Sequence, residues 1–401
     1  MQFDREYDVL ICGAGIGGIA AALETARAGL KTVLVEKTIL TGGLATTGLV
    51  NIYLPLCDGN GKQVTFGIAE ELLHLSYKYG PGDVPHTWRQ GRNITEPKRF
   101  RVAFNPASFV LALDEALVQA GVDIWLDTLA CAPVMKGDRI VGVEVENKSG
   151  RGVLRAKCII DGTGDADIAH RSGAPCAETD NWESMWVLEA SLAIARKAVE
   201  QKDGTPLIGR QALGALNTGK GIPKDTRKWF GTDGKEVTGF VLRSREILIN
   251  RYREAHAKGG DTSRHNFFPM TLPSMAQFRT TRRIVADITL TDGQHATPFE
   301  DSIGLVADWR KPGFVWEIPY RTLVPKKVAG LLVVGRCISS EKDAWEVTRV
   351  IPPAAHTGQV AGIAARLAIA KDTTPDRIDA KDIQTELDAQ KIPYHLKQIY
   401  G

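Results

Sequence analysis

The chain opens on an apolar run, Val9-Leu-Ile-Cys12, broken by Gly13-Ala-Gly-Ile-Gly-Gly18 and resumed as the small-residue stretch Ile19–Ala22. A strand, a tight turn and a helix follow from that order, and a second strand from Thr32-Val-Leu-Val35. Ile68, Leu72, Leu75 and Tyr79 fall near one face of a helix over 67–79. Pro106 starts another helix through Ala120, stopped by Gly121. Val122–Val134 and Arg139–Glu146 alternate as strands about a turn at Lys136-Gly-Asp138, and Val153–Ile160 is a further strand. Late in the chain, the apolar Gly330–Val334 run precedes a helix over 351–365 that begins through Pro352 and Pro353.

Between these pieces the pattern changes. Residues 174–325 carry Trp182, Trp186, Trp229, Trp309 and Trp316, scattered glycines and a helix near 241–256. The predicted fold is α/β: a Rossmann-like nucleotide-binding domain, the FAD-binding domain of the resemblance given below, assembled from discontinuous segments 1–80, 100–173 and 326–375. An inserted α+β substrate or cap domain takes 81–99 and 174–325, and 376–401 is a C-terminal tail. Two domains also suit 401 residues, which exceed what one core usually supports.

The glycines carry the first chemistry. Gly13 serves the tight turn, Gly15 lets backbone approach a pyrophosphate, and Gly18 lets helix and strand pack closely. The helix that follows turns its N–H groups and dipole toward phosphate. Glu36 ends the second strand where a carboxylate can accept ribose hydroxyls and would repel a 2′-phosphate, which favours FAD or NAD over NADP.

Composition narrows the class. A net charge of +3 without a long Lys/Arg run gives no reason to expect nucleic acid. The N-terminus shows no basic-then-apolar signal, so a cytoplasmic protein without a membrane partner is expected. Cysteines at 12, 57, 131, 158, 176 and 337 form no C-x-x-C pair, so neither a metal site nor a disulfide frame is expected. Cys57, on a polar loop, is the one weighed for reactivity.

Taken with Gly42-Gly-Leu-Ala-Thr46, Asp58-Gly-Asn-Gly-Lys62, Glu144–Arg151, Ile160-Asp-Gly-Thr-Gly-Asp-Ala-Asp167, Gly335-Arg-Cys-Ile-Ser339, Arg349-Val-Ile-Pro352 and Thr357-Gly-Gln359, the chain resembles a bacterial family of FAD-dependent oxidoreductases. That family is related to the glutathione-reductase-type and fumarate-reductase-like flavoproteins. The resemblance implies FAD held by Gly13, Gly15 and Gly18 at the pyrophosphate and by Glu36, with Lys37 beside it, at the ribose. It further implies Gly42, Gly43, Leu44 and Ala45 along the pyrophosphate and flavin, and Ala130 at the adenine. Gly162, Thr163, Gly164 and Asp165 would close the nucleotide site, and Gly335 and Arg336 would approach the ribityl chain. A helix starting near Thr357 and Gly358 would face the flavin. This chain departs from relatives at His356 and at Arg279-Thr-Thr-Arg-Arg283.

The reaction follows by comparison of motifs. No cysteine pair follows Glu36 and no second glycine motif for NAD(P)H appears, unlike the disulfide reductases. The hydroxylase pattern is incomplete, with Asp165 in place of serine and Gly335-Arg336 in place of Gly-Asp. Hydride transfer between flavin N5 and a small polar, hydroxylated or sugar-like substrate is the expected chemistry. His356 is the first choice of base and His86 the second. Arg282 and Arg349, with Arg279 and Arg283, either hold the substrate or brace the domains. A monooxygenase, a flavin-bound electron carrier and an RNA-modifying protein are the alternatives. The electron acceptor (oxygen, quinone or protein) and a homo-oligomeric state stay open.

Overall fold

The computed structural model describes residues 1–84, 88, 101–215 and 227–401. In chain order its main elements are β1 (Asp4–Cys12), α1 (Ile16–Arg27), β2 (Thr32–Val35), α2 (Ile68–Leu75), α3 (Pro106–Gln119), β3 (Asp123–Trp125), β4 (Leu129–Lys136), β5 (Arg139–Asn147) and β6 (Gly150–Asp161). There follow β7 (Ser184–Ser191), β8 (Arg210–Gly214), α4 (Gly234–Lys258), β9 (Phe267–Thr271), β10 (Ser302–Ala307), β11 (Val315–Pro319), β12 (Leu331–Val333), α5 (Ile351–Ala370) and α6 (Ala380–Ala389).

The main sheet has seven strands in the order β3-β2-β1-β6-β5-β4, with β12 also pairing β6. Strands β3, β2, β1, β6 and β12 run parallel, while β5 and β4 return antiparallel. The 12-residue β6 makes both arrangements possible: Gly150–Arg155 of one edge pairs with β5, and Ile159–Asp161 of the same edge pairs with β12. Val9–Cys12 and all of β2 are buried, as strands covered on both faces must be. The register aligns the strand ends, since Cys12 lies opposite both Val35 and Asp161, and Asp161 opposite Val333. Gly13, Glu36, Gly162 and Val334 therefore emerge side by side at one edge of the sheet.

Helices α1 and α5 cross at small residues. A Cβ on Gly358 would lie 2.1 Å from the Gly17 carbonyl oxygen, and one on Gly362 2.7 Å from Glu24 Cβ. Helix α5 starts at Ile351, where the sequence pattern places it and six residues before the Thr357 start implied by the resemblance. Prolines 352 and 353 explain this: their fixed φ suits the first turn, where their missing N–H groups cost nothing.

A three-stranded antiparallel sheet, β8-β7-β9, lies apart from the main one. Helix α4 covers it through Phe240, Ser244, Leu248 and Tyr252, spaced four apart, packing with Met185, Val187 and Phe267. The Asp233 carboxylate caps that helix, accepting from the N–H groups of Lys235 and Glu236 at 2.9 Å. The β10–β11 hairpin, although drawn from 174–325, sends Ile303, Val306, Trp316 and Ile318 into the core that contains α1 and α5. In the 376–401 stretch Ile383 and Leu387 join the same core, and the Tyr400 hydroxyl donates to Asp58 at 2.8 Å. No helix among the described residues is long and apolar enough to cross a membrane.

Candidate functional site

A groove opens where the parallel strands end, as expected of an open α/β sheet. Gly13, Gly15, Glu36, Lys37, Gly42, Gly43, Leu44, Ala45, Ala130, Gly162, Thr163, Gly164, Gly335, Arg336 and Arg349 all line it. Chain segments more than 300 residues apart thus form one wall.

The three turn glycines do different work. Gly13 has φ of +99°, and a Cβ there would press to 2.6 Å from the Gly162 oxygen. Gly18 sits outside the groove, where a Cβ would meet the Gly13 oxygen at 2.0 Å, so it is a packing residue. Gly15 is extended, with φ of −71°, and a Cβ there would meet only the Gly162 oxygen at 3.7 Å. Its missing side chain leaves room in the groove, a cradle for a pyrophosphate at the start of α1.

The Glu36 carboxylate is held at the groove. It accepts from the N–H of Ala14 at 2.9 Å, and from the N–H and hydroxyl of Thr38 at 2.9 and 3.0 Å. Two oxygens with about four acceptor positions still leave capacity for a ribose hydroxyl. Backbone bonds from Glu36 N–H to Trp125 and from Thr128 N–H to Glu36 fold the next segment back, which brings Thr128, Leu129 and Ala130 into the wall.

Below the groove, Asp161 is a scaffold. Fully buried, it accepts from Thr163 N–H and hydroxyl at 3.0 and 2.6 Å and from Ile168 and Ala169 N–H at 2.9 Å. Burial pushes its carboxyl up from the usual range, and those hydrogen bonds oppose the shift. Asp165 lies behind the wall, accepting from Thr281 at 2.6 Å and from Arg336 at 2.5 Å. Arg336 also donates to the carbonyls of Gly164 and of Phe278, the latter at 2.9 Å. Its guanidinium is thereby fixed in the wall.

Several expected site residues sit elsewhere. His356 lies inside α5, 1% exposed, with Nε2 donating to the Ile303 carbonyl at 2.8 Å. Its ring is packed against Gly304, away from the groove, because the earlier start of α5 puts it in the second turn. Thr357 and Gly358 are likewise one and a half turns into the helix. Thr357 accepts from Gly335 N–H at 3.0 Å and so positions that turn, while Gly358 is the contact with Gly17. Arg282 is a brace, bonded to Glu178 at 2.8 Å and to Asp167 at 3.3 Å. Only Asp167 of that trio lines the groove. Arg283 pairs with Glu341 at 2.6 Å. Cys57 is buried rather than exposed on a polar loop. His86 lies outside the described residues.

Arg279 and Arg349 do come together. Burial and the neighbouring Arg349 charge push the Arg279 guanidinium down from its ordinary value, though guanidinium stays protonated at neutral pH. It stacks over Trp186 at 5.3 Å, with Arg210 over the same ring at 5.1 Å. Arg349 pairs with Glu346 and keeps a buried Nε without a partner among the described residues.

The family model for "FAD dependent oxidoreductase" matches residues 8–203 and 228–387. The chain belongs to that family. Among curated proteins it is similar to a digeranylgeranylglycerophospholipid reductase of Picrophilus torridus, 31% identical over 163 residues, covering 39% of this chain and 39% of that relative. It is also similar to a thioredoxin reductase of Ureaplasma parvum, 37% identical over 70 residues, covering 18% of this chain and 23% of the relative. The chain thus aligns with well under half the length of these relatives. A solved geranylgeranyl bacteriochlorophyll reductase-like protein of Thermoplasma acidophilum aligns over 97% of this chain and 85% of its own, with TM-score 0.47 and 15% identity.

FAD is the cofactor of the family, and the groove fits it: an open cradle at Gly15, an acceptor carboxylate at Glu36, and fixed guanidinium groups further along. Sequence reasoning missed Gly17, Thr128, Asp167, Met275, Val334, Val350, Ile351 and Ala354, which also line the groove. The Pro352-Pro353 pair marked the helix start at Ile351 but not that this start faces the groove; Met275 carries no local signal.

Proposed function

We propose that this flavoprotein transfers a hydride between a substrate carbon and N5 of FAD. The observation that carries the reading is the set of guanidinium groups at the groove: Arg336 and Arg349 in its wall, with Arg279 beside them. FAD, when bound, supplies the hydride-accepting ring. Arg336, locked by Asp165 and two carbonyls, holds positive charge there without reorganisation. Arg349, paired with Glu346, places a second guanidinium in the same wall. The N-terminus of α5, at Val350, Ile351 and Ala354, adds its dipole to the same wall. Together they stabilise the negative charge that a hydride brings into the site.

Trp316 is core at 1% exposure and Trp186 is flanked by two arginines, so neither offers a free ring face for stacking a sugar-like substrate. Kinship with the glutathione-reductase-type flavoproteins and a cytoplasmic setting remain readings of the sequence. The wall's titratable groups among the described residues are Glu36, Lys37, Asp167, Arg336 and Arg349, so a proton acceptor for the substrate is sought outside them, with His86 as the variant to make first. Anaerobic mixing of the FAD-loaded protein with alcohols, acids, amines and apolar compounds, followed by flavin absorbance near roughly 450 nm, tests the reading. Bleaching by one class supports it, and flavin that only oxygenates a substrate in the presence of NAD(P)H overturns it.

A further inference from the structure

The segment 272–277 has the nucleotide groove on one side and a second cavity on the other, and Met275 lines both. This second chamber lies between α4 and that segment and is open to solvent on one side. Most of its wall is carbon, from Met185, Phe240, Leu272, Met275 and Ala276. Phe240 is buried and stacked on Phe278 with ring centroids 4.2 Å apart, which stiffens that side. The segment itself is tied to the loop after Gly43: Ser274 N–H donates to the Thr47 carbonyl at 2.9 Å, and the Gln277 amide donates to the Gly48 carbonyl. The chamber and the groove are therefore held in register by the same residues.

Among the described residues, one charged side chain lines the chamber. Arg245, on an exposed position of α4, makes no hydrogen bond or ion pair with any described residue. Its neighbours Arg243 and Glu246 are paired with each other at 2.5 Å. An apolar pocket with a single cation at its solvent side selects a ligand with an apolar body and one anionic group. We propose that the chamber binds the substrate as an amphipathic organic acid, its carboxylate on Arg245 and its apolar body extending to Met275, the residue shared with the nucleotide groove. Delivery of that body to the groove for oxidation or reduction rests on the hydride-transfer reading; the binding itself does not.

Calorimetric titration of the full FAD-loaded chain with octanoate, octanol and acetate tests this. Octanoate should bind saturably, octanol more weakly and acetate not at all. Arg245→Ala should weaken octanoate by about three- to fivefold, the worth of an exposed charge pair, and leave octanol unchanged. Ala276→Phe should fill the chamber and abolish both, with FAD content and melting temperature retained. Should that variant fail to fold, Val241→Trp fills the chamber from its half-exposed side. Absence of octanoate binding, binding that survives a folded filled variant, or an Arg245→Ala variant with an unchanged octanoate-to-octanol ratio overturns the proposal. Octanoate bound without any acid reducing the flavin leaves the chamber standing and counts against hydride transfer alone.

Discussion

His356 donates its Nε2 proton to the Ile303 carbonyl across 2.8 Å, and a Cβ on the next residue, Gly304, would fall 1.7 Å from that nitrogen. The ring is a packed, neutral donor joining α5 to the β10–β11 hairpin. Its Nδ1 has no partner, and burial pushes its pKa below the ordinary 6.5. His356→Leu should therefore keep FAD and the rate of flavin reduction, and lose about 1–3 kcal/mol of stability from the orphaned carbonyl. A tenfold slower reduction at unchanged melting temperature would return this histidine to the chemistry.

The same burial fixes the sign of a pH effect. The unfolded chain takes up a proton near pH 6.5, whereas the folded one resists it, so the contribution is full above that value and is lost as the pH falls. Between about pH 7.5 and pH 5.5 the melting temperature of the wild type should drop more steeply than that of His356→Leu. Parallel curves would mean that the folded ring titrates normally.

Gly15 and Gly18 separate cofactor binding from folding. Valine fits the extended backbone at Gly15, and its side chain would enter the groove, so Gly15→Val should fold and come off purification colourless. At Gly18 even one methyl collides with the Gly13 oxygen at 2.0 Å, so Gly18→Ala should lose several kcal/mol and yield little soluble protein. Circular dichroism and the ratio of flavin to protein absorbance distinguish the two, and a yellow Gly15→Val protein would remove Gly15 from the pyrophosphate path.

Glycines at tight approaches were legible because their reason is local: Gly13, Gly15, Gly18, Gly42 and Gly43 sit in turns whose geometry the neighbouring sequence announces. Glu36 was legible for the same reason, as the end of a short apolar strand. His356 misled, and Arg282 stayed open between substrate holder and brace, because their partners are remote. Nothing near His356 in the chain tells of the Ile303 carbonyl 53 residues away, and nothing near Arg282 tells of Glu178 or Asp167. The hairpin β10–β11 was given to the wrong neighbourhood in the same way, since its apolar alternation says that it is buried but not against what. Met275 shows the limit most plainly: a lone methionine has no pattern, and its importance comes only from lying between two cavities.

Glu36 can be tested through hydrogen-bond polarity. Glutamine there must present an NH₂ either to Ala14 N–H or to the Thr38 donors, so one acceptor becomes a donor facing a donor. Glu36→Gln should weaken FAD binding by about 10- to 100-fold, measured by titrating apoprotein with FAD. Undiminished affinity would show that the carboxylate serves only the backbone of its own turn.

Arg282 and Arg349 differ in what they touch, and their variants should differ in kind. Arg282 meets the groove only through Asp167, so Arg282→Met should lower the melting temperature modestly, by about 1 kcal/mol, because the Asp167 and Glu178 carboxylates left behind are partly exposed, while each bound FAD keeps its reduction potential. Arg349 lines the groove itself. Arg349→Met removes a positive charge where a hydride adds a negative one, a loss of about 1.5–3 kcal/mol for a charged hydrogen bond. For a two-electron couple this is a potential lower by roughly 30–65 mV, with flavin reduction slowed in step. Equal potentials in wild type and Arg349→Met, at full FAD occupancy, would show that this arginine only braces Glu346 and would move charge stabilisation to Arg336 and the start of α5.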